Sequence, residues 1–361
     1  MAMEQSDPTD LVEGLDGSSD LGEYPLDSLL IRTETRTIFE VVRRIGQGFY
    51  KMDPEFQREF VWEEERQSRL IESVLMRIPL PVFYLAENPD GRLVVVDGLQ
   101  RLTTFERFLT NAFKLNLRSD ELNGKMFNEL SPKHQNRIED TQLTLYVIDS
   151  KVPERARLDI FERVNSGVPL SRQQMRNALY QGKATRMLRT LAHHPTFVEA
   201  TGSSLQPKTM RDREAINRFC AFHLLGPASY RNDMDQFLAE ALIQLNQLAD
   251  AEVDKIQEMF LRSMRNNLKI FGKHAFRKHT RGQQGRSVFN MSLFDVFSTG
   301  LANYDEALVD SCQDLLRAGF YRLMSKDDFL QDITIGTNSS RRVEGRFRTM
   351  SKLLAEIFDA V

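Results

Sequence analysis

LVVVDGLQRLTTF, residues 93–105, runs from an unbroken apolar stretch through an Asp-Gly pair into a segment whose apolar residues return every three or four positions. The first part reads as a strand and the second as a helix with Leu102, Phe105, Phe108 and Leu109 inward. A strand that passes straight into a helix presents several backbone N–H groups without intrahelical partners, at the end where the helix dipole favours an anion. Arg101 falls in that first turn, where a cation is disfavoured by about 0.3–1 kcal/mol, and a bound anion would reverse the penalty. Gly98 permits a positive φ or close backbone approach, Gln100 can donate an amide hydrogen bond, and Asp97 could hold Mg2+ or orient a water. The competing reading is that Asp97 caps the helix and Arg101 pairs with a surface carboxylate; the loop residues alone favour it, because short motifs recur by chance.

Upstream, VFYLA (82–86), the turn residues Asn88-Pro89-Asp90-Gly91 and the 93–98 run predict a β-hairpin. Before it, Ile38, Phe39, Val41, Val42 and Ile45 predict a helix that stops at Gly46 and Gly48. A short strand over 49–52 follows, then a helix from Glu64 to Arg77 with Leu70, Ile71, Val74, Leu75 and Ile78 on one face. Downstream, Ser131-Pro132 opens a helix over 132–140, QLTLYVID (142–149) is a strand, and Pro153 opens a helix that ends near Gly167. Ser171 and Gln174 form a capping box for a helix over 172–181, closed by Gly182. Strands and helices mix without a regular βαβ repeat, so the fold class is α+β. Helical periodicity dominates beyond, at 184–193, 211–225, 232–248, 251–271 and 303–323, so the second half is expected to be all-helical.

The length of 361 residues and 41% hydrophobic content suffice for two cores. Residues 1–31 contain eight carboxylates and no Lys or Arg, so the rest of the chain carries +5 although the whole carries −3. An acidic leader of this kind is expected to be disordered to about residue 22 and to solubilise the chain; mimicry of nucleic acid over a basic face is the alternative. Two distant cysteines, Cys220 and Cys312, suggest neither a disulfide framework nor a thiolate zinc site. No stretch reaches the roughly 20 apolar residues of a membrane span, and the acidic N-terminus is unlike a signal peptide. A cytoplasmic protein without a membrane partner is the expectation.

Arg58, within Phe56-Gln57-Arg58 and ahead of Phe60, Val61 and Trp62, places a guanidinium in aromatic surroundings that demand a carboxylate, a phosphate or a stacking partner. The most polarised segment is 259–294, which holds Arg262, Arg265, Lys269, Lys273, Arg277, Lys278, Arg281 and Arg286 and no Asp or Glu. Interleaved with Phe271 and Phe276, these cations make a candidate nucleic-acid surface, with Lys269, Lys273, Arg277, Lys278 and Arg281 at its centre. A solvated basic face or a protein-binding surface is the alternative. Arg341, Arg342, Arg346 and Arg348 would extend the patch.

Four strings in order, MDPEFQREFVW (52–62), LIESVLMRIPLPVFYL (70–85), VVVDGLQRLTTF (94–105) and IFERVNSGVPLSRQQMRNALYQG (160–182), resemble the N-terminal domain of GmrSD-type restriction endonucleases. The resemblance implies a ParB/sulfiredoxin-like α+β domain over 25–185, between a disordered leader (1–24) and a helical domain (186–361). It also implies a DGQQR loop tied to NTP binding and hydrolysis in phage defence, with Leu99 here in place of the usual Gln. By position it assigns catalysis to Asp97, Arg101 and Arg58, nucleotide contacts to Gln57, Gly98, Gln100 and Asn165, and Mg2+ to Asp97, with Gly167, Arg176 and Asn177 in further family segments. None of the six histidines has the setting of the HNH nuclease that such proteins often carry. The sequence therefore leads to an NTP hydrolase acting on DNA in a restriction-type system. Two alternatives stand beside it: a non-hydrolysing sensor of DNA or nucleotide that regulates a separately encoded nuclease, and a direct endonuclease using Asp53, Asp97 and Asp149.

Overall fold

The computed structural model describes residues 12–13, 30–52, 62–118, 121–164 and 170–359. The chain divides into two compact units, Leu21–Leu179 and Tyr180–Val361, the second of which also takes in Val12–Glu13. The division thus falls at Leu179 and Tyr180, a few residues before the boundary expected after 185.

The first unit contains strands β2 (Ile31–Thr37), β3 (Tyr50–Lys51), β4 (Phe83–Glu87), β5 (Leu93–Asp97) and β6 (Gln142–Ile148) and helices α1 (Ile38–Gly46), α2 (Glu64–Leu75), α3 (Leu99–Leu109), α4 (Pro132–Glu139), α5 (Glu154–Val164) and α6 (Arg172–Leu179); β1 is Val12–Glu13. Its mixed sheet has the order β2-β6-β4-β5-β3. β4 runs antiparallel to β5 and parallel to β6, while β2 closes the far side antiparallel to β6. The unbroken apolar run of β5 follows from burial on both faces of the strand. Leu93 and Val95 enter the core beneath α1 to α4, whereas Val94 and Val96, also buried, face the side on which α5 packs.

Local chemistry sets the element ends. At the hairpin turn the Asn88 N–H donates to the Arg92 carbonyl at 2.8 Å and the Asp90 carboxylate accepts from the Arg92 N–H at 3.0 Å. Ser171 and Gln174 close their capping box in both directions, at 3.2 and 2.7 Å. Two residues expected inward are exposed: Phe39 lies on the outer side of α1, and Ile78 lies past the end of α2. The strand β2 was not anticipated. Its Ile and Thr residues alternate with Arg32, Glu34 and Arg36, a ladder in which Arg36 grips Glu34 and Arg32 reaches Glu87 at 2.7 Å.

The second unit is helical, α7 (Lys183–Ala192), α8 (Pro195–Thr201), α9 (Arg211–Leu224), α10 (Met234–Gln247), α11 (Asp250–Phe271), α12 (Met291–Gly300), α13 (Glu306–Ser311), α14 (Gln313–Met324), α15 (Asp327–Asp332) and α16 (Ser340–Phe358), with one short strand, β7 (Phe289–Asn290). The expected helix over 303–323 is broken at Cys312 into α13 and α14. β7 pairs in parallel with β1, and the Glu13 carboxylate accepts from Lys278 and from the Asn290 amide. At Val12–Glu13, therefore, the expectation of a disordered leader fails, because a backbone pairing and an ion pair hold these residues against the helical unit. No helix of the described residues is long and apolar enough to cross a membrane.

Candidate functional site

β5 delivers Asp97 to the start of α3, with Gly98 between them in the left-handed region at φ 100°. Because Tyr84 is the register partner of Asp97, the buried Phe83 ring sits beside Gly98, and a Cβ there would lie 2.4 Å from the ring. Glycine is needed both for its φ and for the close approach. As N-cap, Gly98 offers no side chain to the first turn of α3, so the amides of Leu99, Gln100 and Arg101 lack a side-chain acceptor.

The Arg101 guanidinium lies 4.2 Å from the centre of the Phe83 ring. It donates from Nη1 to the Pro81 carbonyl and from Nη2 to the Val82 carbonyl at 3.0 Å and to Asp97 Oδ2 at 2.9 Å. Its side chain is only 12% exposed, against 39% for Asp97. Burial pulls the Arg101 pKa below its ordinary value, and the neighbouring Asp97 carboxylate opposes this. Arg101 is thus a clamp that ties the start of α3 to the entry of β4 and fixes the Asp97 carboxylate by one oxygen. Sequence reasoning missed the partners Pro81, Val82 and Phe83. The hairpin register was the available signal, since it places the first residue of β4 beside the end of β5.

Gln100 adds a polar atom without a partner: its buried side-chain Oε1 accepts no hydrogen bond. Gln57, Arg58 and Asp53, and Asn165 with Gly167, lie outside the described residues. Arg176 and Asn177 are interior residues of α6, where Gln173 accepts from Arg176 Nε at 3.0 Å and donates to Asn177 at 2.9 Å. Asp149 does not join Asp97. It follows the end of β6, level with Glu87, whereas Asp97 is level with Tyr84, so the two occupy opposite ends of β4, about 10 Å apart along the strand and two strands apart across it. A nuclease centre in which these two carboxylates share a metal is excluded by the sheet. Among the described residues no three His, Cys, Asp or Glu side chains gather as a metal site.

The basic segment 259–294 is more neutral in space than in sequence. α13 and its cap bring acids to α11: Arg262 pairs with Asp305 at 3.2 Å, Arg265 with Glu306 at 2.6 Å, and Lys269 with Glu306 at 3.7 Å. Lys278 pairs with Glu13. Arg277 cannot serve an external phosphate, being 1% exposed and donating to the Ala275 and Thr201 carbonyls and the Ser204 hydroxyl; burial pushes its pKa down to about 10. Phe271 and Phe276 are buried core residues and offer no ring to a base. Arg342 and Arg348 pair with Asp332 and Glu344, and Arg346 is buried. Lys273 and Arg281 remain exposed and form no ion pair with a described residue.

A search among curated proteins finds none that matches this chain. The family model described as "GmrSD restriction endonuclease, N-terminal domain" matches residues 38–181. The match starts at α1 and runs just past α6, enclosing the Asp97–Arg101 junction and most of the first unit. Residues 38–181 are accordingly a GmrSD-type N-terminal domain.

Proposed function

We propose that the chain is a component of a restriction or phage-defence system, in which the Asp97–Arg101 junction binds the phosphates of a nucleoside triphosphate together with Mg2+ and hydrolyses it. The observation that carries this reading is the coincidence, at one strand-to-helix turn, of an α-helix start without a side-chain cap and a carboxylate held by one oxygen, leaving the other open. Phosphate oxygens suit the first-turn amides. Asp97 suits a cation that takes one or two protein carboxylates and draws its other ligands from the nucleotide and water, as Mg2+ does. Arg101 positions Asp97, and Arg58, Gln57 and Asn165 complete the nucleotide contacts by the family resemblance.

One observation favours a second reading. Both terminal nitrogens of Arg101 already have acceptors, so the guanidinium is poorly placed to neutralise charge that develops on a transferring phosphoryl group. On this reading the junction binds nucleotide without turnover and regulates a separately encoded nuclease.

A single assay separates them: NTP binding and phosphate release, with Mg2+ and with or without DNA, for the wild type and Asp97→Ala. Hydrolysis requires turnover by the wild type and a fall of at least about 100-fold in the variant, with its unfolding transition unchanged. Binding without turnover selects the sensor. Undiminished turnover in Asp97→Ala removes Asp97 from the mechanism.

A further inference from the structure

The loop after α11 builds a column of rings in the helical unit. The His279 ring stacks on Phe320 of α14 at 4.5 Å and 21°, and on His274 at 4.8 Å and 24°. Phe320 and His274 do not meet each other, so they occupy opposite faces of His279. His279 is 8% exposed and is held by a hydrogen bond between its Nδ1 and the Arg277 carbonyl oxygen, at 2.9 Å. His274 is half-buried and meets no further ring among the described residues, so the column ends on it. The end of the column opens on a cavity of about 340 Å³ lined by His274, His279, Gln283, Tyr321, Arg317 and Lys269. His274 Nδ1 is buried and has no hydrogen-bond partner. Lys273 adjoins it in sequence, and Arg281 lies 5.7 Å above the Tyr321 ring, both exposed.

We propose that this cavity receives an unpaired nucleobase, stacked on the open face of His274, with its phosphate held by Lys273 and Arg281. The volume is at the small end of ligand sites, as a single nucleotide requires. Aromatic stacking tolerates any base, and flanking cations track the backbone. Burial holds both imidazoles below their ordinary pKa, so they stay neutral near pH 7 and stack without mutual repulsion. This site is separate from the Asp97–Arg101 junction and independent of the reading of that junction.

The test uses the full-length protein and 2-aminopurine, whose fluorescence falls when it stacks. Three probes are titrated: a single strand with one internal 2-aminopurine, the same strand in a duplex, and 2-aminopurine riboside monophosphate. Quenching of the single strand with weak quenching of the duplex is the expected result; quenching of the monophosphate as well would assign the site to free nucleotides. His274→Ala should weaken the quenched complex about tenfold, while His274→Phe, which keeps a ring, retains most of the affinity. Lys273→Glu should weaken binding of the single strand and flatten its salt dependence. The idea is overturned if no probe is quenched, if the strand binds without quenching, or if His274→Phe loses as much as His274→Ala.

Discussion

The two units each hold an Arg–Asp cluster built from the same groups, and the clusters differ in their access to water. At the strand-to-helix junction of the first unit, Arg101 holds Asp97 by one oxygen, and the carboxylate is more than a third exposed. Within the helical unit, Arg218 of α9 grips both oxygens of Asp295 of α12, at 2.8 and 2.6 Å, and Arg346 of α16 adds a third bond at 2.9 Å. All three residues of the second cluster are essentially sealed from solvent. Two guanidinium groups and one carboxylate leave an excess positive charge in the interior, and Arg218 Nη1 and Arg346 Nε have no partner. The sealed cluster ties three helices together and can reach no solute, whereas the open one keeps an oxygen available to a ligand. Burial, more than residue type, separates a structural ion pair from a candidate site.

The sharpest way to break this comparison is to remove each carboxylate in turn. Asp295→Ala should destabilise the helical unit by about 3–5 kcal/mol, since it strands two buried guanidinium groups. Denaturant unfolding monitors it, and a loss below about 1 kcal/mol would show that water or a rearranged carbonyl replaces the carboxylate. Asp97→Ala should cost at most about 1 kcal/mol, because the pair is partly exposed and Arg101 keeps the Pro81 and Val82 carbonyls. If Asp97→Ala proves as damaging as Asp295→Ala, the junction is structural and the proposed function loses its main support.

Between these two lies Gly98→Ala, with an expected cost of about 3 kcal/mol. A left-handed φ of 100° burdens any side chain, and the new methyl meets the fully buried Phe83 ring at 2.4 Å. The double variant Gly98→Ala with Phe83→Leu should recover part of that loss in thermal unfolding. Failure to recover would assign the cost to φ alone. Either result sharpens the account of why the open cluster needs glycine at its hinge.

Much of the first unit was legible from residues 38–181 because its signals are local. The hairpin turn, the Ser171 capping box and the Ser131-Pro132 start each act within a few positions, and each element lies where those residues put it. β2 escaped because its residues alternate Thr with Arg or Glu rather than polar with apolar, and its less exposed face is built from Arg32, Glu34 and Arg36. The basic segment 259–294 misled for the opposite reason. Its cations were counted in sequence, but their neutralising partners Asp305 and Glu306 come from a helix some forty residues later, and Arg277 proved to be a buried bracket for carbonyls. The junction was foreseen, but neither of its two readings paired Asp97 with Arg101, as the structure does. The engagement of Arg101 with Pro81 and Val82 depends on strand register, which no single motif encodes.

The smallest effect concerns a third kind of buried group, one kept neutral where the clusters are charged. His279 has a pKa below the ordinary 6.5, first because of burial, with the Arg277 carbonyl pulling the other way and His274 adding to the depression. An unfolded chain takes up that proton near pH 6.5, while the folded chain holds it off to lower pH, so the unfolded state binds more protons in the interval between. Stability should therefore be full above about pH 7 and decline as the pH falls through 6.5 toward the folded value. His274 and Tyr321 are the titratable groups whose rings meet His279, and burial holds the His274 pKa below its ordinary value as well. His279→Phe keeps the stack on Phe320 and removes the proton site, so the drop in melting temperature between pH 7.5 and 5.5 should be smaller in the variant than in the wild type. An identical drop would mean that the ring column carries a charge as readily as the Arg–Asp clusters do.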